Sequence, residues 1–228
     1  MRATLSAPAW DDEARIITWC SASIEATSAV TLLEFPDATF HALLENPDFR
    51  SRIDALLNIA GAVPQIDLFE MTDEQWREGM ELKLHGARRL TIRAWEALKA
   101  TKGSVVFMSG SAALDPAPAF AAVAATNAAI MALAKAFAEQ GIKDEVQVNS
   151  IVPGAVMTGR RRSFMEKWAP AHNMTVEQAM KKFPEEIGIS RYGRPEEIAE
   201  LLAFMVSPMA KWMTGASLRM DGGEIKGI

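Results

Sequence analysis

The stretch GSVVFMSGSAALDPAPAFAAVAATNAAIMALAKAFAEQGIKDEVQVNSIVPG, residues 103–154, decides the fold. GSVVFMS at its start and EVQVNSIVPG at its end are short β-rich apolar runs, the second stopped by Pro153 and Gly154. Between them AFAAVAATNAAIMALAKAFAEQ (119–140) consists of good or tolerable helix formers and reads as one long helix. Strand, helix, strand on this scale is a crossover unit between parallel strands.

The pattern repeats outward. IDALLNIAG (53–61) reads as a buried strand ending in a turn, and the unalternating apolar run Ala55–Ile59 fits a strand covered on both faces. MTDEQWREGMELKLHGARRLTIRAWEALKATK (71–102) reads as a long helix that Thr72 and Gln75 can open as a capping box and that Lys99 and Lys102 suit at its end. GRPEEIAELLAFMVS (193–207) has Pro195 in its first turn, Glu196 and Glu197 at the positive dipole end, and an apolar face of Ile198, Leu201, Leu202 and Met205. GASLRMDGG (215–223) supplies a last strand. The expectation is a single α/β domain over 1–228, a doubly wound parallel Rossmann-like sheet with helices on both faces. Residues 159–190, polar and carrying Pro170 and Pro184, stand apart as a lid-like insertion: either a cover over a ligand crevice or a solvated excursion.

Bulk composition narrows the function classes. The chain has 228 residues, a net charge of −5 and no long basic run, so nothing indicates a nucleic-acid partner. No apolar stretch is read as a membrane span, and MRATLSAPAWDDEAR has no signal-type apolar core, so the expected setting is the cytoplasm. Cys20 is the only cysteine, and His41, His85 and His172 are scattered without ligand spacing, so no metal site is expected.

Several motifs resemble the short-chain dehydrogenase/reductase family in order and spacing, from about residue 29 onward. NIAG (58–61) resembles the family's Asn-Asn-Ala-Gly, VQVNSIVPGAVMT (146–158) its Val-Arg-Val-Asn and Pro-Gly stretch, and RYGRPEEIAELLAFMVSPMAKWMTGASLRMDGG (191–223) its C-terminal block. The resemblance implies a nicotinamide cofactor, hydride transfer to or from a carbonyl, and a dimer or tetramer. It also implies a catalytic Tyr beside a Lys four residues on, a Ser about a dozen residues earlier and an Asn on the preceding helix. The logic is a phenol whose pKa an adjacent ammonium lowers.

The chain departs from that pattern at each point. From Phe120 to Ala134 it has no Tyr, Lys, His, Asp or Glu. Aligned on the family, Val123 stands at the Tyr position, Asn127 at the Lys position and Lys83 at the Asn position. Ser111 is the closest survivor of the Ser, with Ser109 the alternative. Tyr192, the single tyrosine, is read as a packing residue. A site relocated to Lys83 is the competing possibility, although Lys83 and His85, two apart on one helix, do not face each other.

The dinucleotide site fares no better. The first glycine is Gly61, so the glycine-rich phosphate loop that follows the first strand of a Rossmann unit is absent. The family places three strand–helix units before Asn58, and 57 residues leave room for about two, giving about six strands with a shortened N-terminal part. RATLSA is the expected first strand, AWDDEARIITWCSASIEA a helix or strand-containing excursion, and AVTLLEF resembles the family's third strand followed by a helix in PDATFHALLENPDFRSR, so that the second unit would be missing. Asp12 and Glu13 have no warrant as ribose ligands. Asn58, Gly61, Pro153, Gly154 and Thr158 resemble cofactor-contact positions, either vestigial or kept for backbone geometry. No cofactor is expected on this chain, with NAD(P) belonging to the family and to a partner.

What the resemblance leaves is a scaffold and its association surfaces. Ala121, Ala124, Ala128 and Ala132 would allow close helix approach to a partner, and the C-terminal helix and strand would form a second contact. The expectation is a non-catalytic subunit paired with a homologous active subunit in a hetero-oligomer, or with itself. Some hydroxyacyl-CoA dehydrogenases, including one of anaerobic benzylsuccinate degradation, resemble such a pairing. The alternatives are an altered oxidoreductase around Ser111 and Lys83, or a non-redox small-molecule binder under the lid. Arg160, Arg161 and Arg162 oppose the dipole of the helix they open, and read as either a solvated run or an answer to an anion.

Overall fold

The computed structural model describes residues 52–227 and, before them, four short strands, β1 (Thr4–Leu5), β2 (Arg15–Trp19), β3 (Glu25–Ala26) and β4 (Thr31–Glu34). After β5 (Ala55–Asn58) come α1 (Asp73–Met80), a π-helical turn (Glu81–Gly86) and α2 (Ala87–Thr101), then β6 (Ser104–Met108) and α3 (Ala121–Asp144). β7 (Gln147–Pro153), α4 (Gly159–Ala171), α5 (Val176–Glu186), α6 (Pro195–Val206) and β8 (Ser217–Met220) complete the order. Six strands form one parallel sheet in the order β4-β2-β5-β6-β7-β8. The order reverses between β2 and β5, which defines the switch point of a doubly wound sheet and puts a crevice outside the strand carboxyl ends.

The N-terminal strands correct the sequence reading. Thr4–Leu5, within the expected first strand, pairs with Glu25–Ala26 in a separate two-stranded sheet. RIITW, inside the ambiguous stretch, is instead the strand beside β5, with Trp19 opposite Asn58. TLLE, expected as the third strand, pairs directly with β2 and so takes the second position. Apolar runs of equal quality cannot announce their neighbours; pairing order is a tertiary choice. The helix expected over 36–52 lies outside the described residues apart from Arg52.

The core explains the strand composition. β5 is buried throughout, as are Ser104–Phe107 of β6 and Gln147–Val152 of β7. Successive side chains point to opposite faces. Thus Leu56, Val105, Phe107 and Val148 join Leu98 and Ile130 on one side, while Leu57, Val106 and Ile151 join Ile198, Leu202 and Met205 on the other. The polar members of β7 are satisfied by the loop before β8: Gln147 Nε2 donates to Ala210 O at 2.6 Å and Asn149 Nδ2 to Met213 O at 2.6 Å. The capping box at Thr72 and Gln75 is present in both directions.

Further expectations change. Taken with the turn before it, the alanine-rich helix (Pro118–Asp144), with an 18-residue window of mean hydropathy 1.6, is long and apolar enough by length and composition to cross a membrane, contrary to the reading that no apolar stretch qualifies as a span. Its buried residues Ile130, Ala134 and Ala138 instead pack into the core against the sheet. Of its alanine stripe, Ala128 and Ala132 are exposed together with Ala125 and Ala136, whereas Ala124 is buried within the chain. Residues 159–190 are not a solvated excursion. α4 and α5 close on each other around Met165, Ala169 and Ala179, with Phe164, Trp168 and Phe183 packed against them.

Candidate functional site

A cavity of about 580 Å³ opens at the carboxyl ends of β5, β6 and β7, and Lys83, Ser111, Val123 and Asn127 all line it. The lid contributes Arg160, Arg161, Phe164, Phe183 and Ile187 to the same wall. The four positions aligned on the family's catalytic residues are therefore brought together. Tyr192 and His85 do not line this cavity; Tyr192 stacks on Phe183 with ring centroids 6.3 Å apart, as a packing residue would.

Lys83 sits in the π-helical turn between α1 and α2. Such turns widen a helix by one residue and re-aim its side chains, often at functional sites. Its stem crosses Gly61, where an added Cβ would stand 2.9 Å from Lys83 Cδ. Its Nζ donates to Asn127 Oδ1 at 2.5 Å and to Ser109 O at 3.2 Å. Lys83 and Asn127, read from the resemblance as standing at the family's Asn and Lys positions, therefore bond directly. Gly110 gives Asn127 its room, since a Cβ there would lie 2.8 Å from Asn127 Nδ2. Both Ser109 and Ser111 line the cavity; Ser109 is buried and spends its hydroxyl on Asn127 O, while Ser111 is only partly buried.

Ser111 has a partner that sequence reasoning missed. Its Oγ donates to Glu224 Oε1 at 2.9 Å, and Glu224 Oε2 accepts from Ala155 N at 2.8 Å. Glu224 arrives by a turn through Gly222 and Gly223, at φ +64° and +81°, a region that favours glycine. Asp221 braces that turn by accepting from Gly223 N and Ile225 N, each at 3.0 Å. The Asp-Gly-Gly signal was present in the sequence; where the tail lands was not.

The cations of the lid are engaged. Arg160, although exposed, donates to Gly61 O at 3.3 Å and Val63 O at 2.6 Å, tying α4 to the loop after β5. Arg161 lies 5.4 Å from the Phe164 ring centroid and 5.2 Å from that of Phe183. Burial pushes both guanidinium groups below their usual range. Arg160 and Arg162 are both exposed, and Arg162 stands as a solvated charge would. Burial, helped by the nearby Arg160 charge, brings the Lys83 ammonium down to about 7.

The remaining family-like positions all have structural employment. Asn58 Nδ2 donates to Thr91 Oγ at 3.1 Å, away from the cavity lining. Thr158 caps α4 by accepting from Arg161 N. Pro153 closes β7. The space over Gly154 is filled by the tail: a Cβ there would lie 2.5 Å from Glu224 Oε2 and 2.7 Å from Asp221 Cα. Among the described residues no three His, Cys, Asp or Glu side chains converge.

The Lys83 shift makes a testable statement about stability. Below pH 7 both folded and unfolded chains hold the proton, and the fold bears the full cost of a buried ammonium. Between about 7 and 10.5 the unfolded lysine keeps a proton that the folded one has released, so folding gains stability as pH rises, with a slope of at most about 1.4 kcal/mol per pH unit. Chemical denaturation of the wild-type chain and Lys83→Met at pH 7 and pH 9 is expected to show wild type gaining on the variant; a constant difference contradicts the buried amine.

This architecture, a doubly wound parallel sheet with its crevice at the strand ends, is a Rossmann-like fold. A family profile described as enoyl-(acyl carrier protein) reductase matches residues 28–224. The oxidoreductase YvaG of Bacillus subtilis is 30% identical over 181 residues, 77% of this chain and 69% of that protein. The 3-oxoacyl-[acyl-carrier-protein] reductase FabG of Thermotoga maritima is 28% identical over 175 residues, 76% and 67% of the two chains. The L-sorbose reductase of Gluconobacter frateurii, solved with NADPH and L-sorbose, superposes with a TM-score of 0.80 over 95% of this chain and 98% of its own at 20% identity, a likeness of fold. The chain belongs to the short-chain dehydrogenase/reductase family.

Proposed function

We propose that this chain is a short-chain dehydrogenase/reductase that runs no hydride transfer of its own and serves in the cytoplasm as a stabilising subunit of an oligomeric NAD(P)-dependent dehydrogenase, with a homologous active chain as partner and a hydroxyacyl-CoA as the candidate substrate of the assembly. One observation carries this reading: the cavity face that holds the family's proton donor presents the methyl groups of Val123, and Lys83 and Asn127 beside it bond to each other. A valine offers no proton at any pH. The occupation of the space at Gly154 by Glu224 and of that at Gly61 by Lys83 speaks against a nicotinamide over the strand ends. A carboxylate on Ala155 N uses a donor a neutral carboxamide could otherwise take.

Exposed apolar side chains support an associating surface. Phe204, Met209 and Trp212 follow one another at the end of α6 and in the turn after it, and Trp212 is fully exposed. Large contiguous apolar exposure marks interaction sites. Size-exclusion chromatography of the chain co-expressed with an intact homologue is expected to give one peak holding both, with Trp212→Arg dividing it. Separate elution, together with nucleotide-dependent turnover by this chain alone, overturns the reading.

A second reading rests on a specific observation, the near-neutral Lys83 amine facing the cavity with Ser111 across it. A divergent oxidoreductase built on this pair would lose its turnover in both Lys83→Met and Ser111→Ala, whereas the subunit reading predicts no turnover to lose.

A further inference from the structure

We propose that the cavity captures a small carbonyl compound covalently, as an imine on Lys83 Nζ, and that the compound is an apolar keto acid. Lys83 Nζ has two acceptors, Asn127 Oδ1 and Ser109 O, and among the described residues no carboxylate within ion-pair distance. A neutral amine keeps both hydrogen bonds and still presents a lone pair in the remaining tetrahedral direction. The residue is held by its crossing of Gly61, so the nitrogen is positioned rather than mobile. At neutral pH about half of it is free amine, given the desolvation and the Arg160 charge described above.

The cavity around it has the matching character. Ile59, Val123, Phe164 and Leu202 offer an apolar wall for an alkyl or aryl body, and Arg160 and Arg161 are the cations a carboxylate would meet on a lining that also carries Asp115 and Glu224. In the step itself the Lys83 lone pair attacks the carbonyl carbon and the C–O π pair moves to oxygen. The carbinolamine then loses water, the two amine hydrogens leaving with the former carbonyl oxygen as the C=N bond forms. No oxidant or reductant is consumed. When protonated, the imine has one N–H to keep the bond to Asn127. Nothing in this chemistry depends on a nucleotide, so it stands apart from the subunit reading.

The test uses the whole chain at neutral pH with 2-oxohexanoate and cyanoborohydride, followed by intact mass and peptide mapping. The expected result is a single adduct on the peptide carrying Lys83. Its rate should exceed that at any surface lysine by roughly a hundredfold or more, since an ordinary ammonium of pKa near 10.4 is almost wholly protonated there. An excess of hexanoate, which has the body and charge but no carbonyl, is expected to slow the adduct without forming one. Labelling spread over surface lysines, or none at Lys83, overturns the proposal. Both outcomes are indifferent to whether the chain elutes with a homologue.

Discussion

Gly141→Ala is expected to destabilise the chain by about 3 kcal/mol or more, lowering its melting temperature by roughly 10 °C, although glycine to alanine inside a helix ordinarily stabilises by about 1 kcal/mol. The reversal comes from one contact. A Cβ on Gly141 would stand 2.1 Å from Val146 O, a backbone atom that begins the run into β7. The same junction carries the Val146 N to Gly141 O bond of 2.9 Å that ends α3, beside Glu145 in a left-handed conformation. The clash cannot be relieved by turning a side chain; either α3 lifts from the sheet or β7 shifts its register against β6. Because Gln147 and Asn149 of β7 anchor the loop before β8, the shift would propagate to the C-terminal strand. Thermal and denaturant unfolding read this directly, and a neutral or stabilising result contradicts the helix–strand junction described.

Gly154→Ala is expected to unseat the C-terminal tail. An added methyl would meet Glu224 Oε2 at 2.5 Å and both Cα and Cβ of Asp221 at 2.7 Å. The carboxylate can swing away, but the backbone of Asp221 cannot, so both the Ser111 and Ala155 bonds to Glu224 are lost together with the brace that Asp221 gives to the turn. Loss of two charge-assisted hydrogen bonds and the local strain sums to about 2–4 kcal/mol. Limited proteolysis is expected to cleave the tail beyond Met220 much faster than in the wild type, with residues 52–210 remaining protected. Equal protection of the tail in the two chains contradicts the placement of Glu224.

The parts that were legible in the sequence are those fixed by short-range chemistry. The capping box at Thr72 and Gln75, the stop at Pro153 and the proline opening of α6 all depend on neighbours within a few residues. So did the absence of an ionisable group around Val123. Order of pairing at the N-terminus was not legible, because RIITW and TLLE are equally good strand sequences and only the sheet decides which lies beside β5. One member of the alanine stripe was misplaced for a related reason: ten of the 24 positions of α3 are alanine, so periodicity is weak, and packing on the sheet buries Ala124 rather than Ala125. Glu224 stayed hidden because it acts across 113 residues of chain to reach Ser111. Lys83 and Asn127 were visible as two separate departures from the family pattern; that they form a bonded pair required their distance.

The central claim is that this scaffold holds no hydride-transfer machinery of its own. It is tested most directly by following deuterium from 4-deuterated NADH and NADPH into a panel of ketones with the isolated chain, while nicotinamide fluorescence reports binding. The account predicts no fluorescence change and no labelled alcohol from either nucleotide. Labelled alcohol formed by the wild-type chain and lost in Lys83→Met would contradict it.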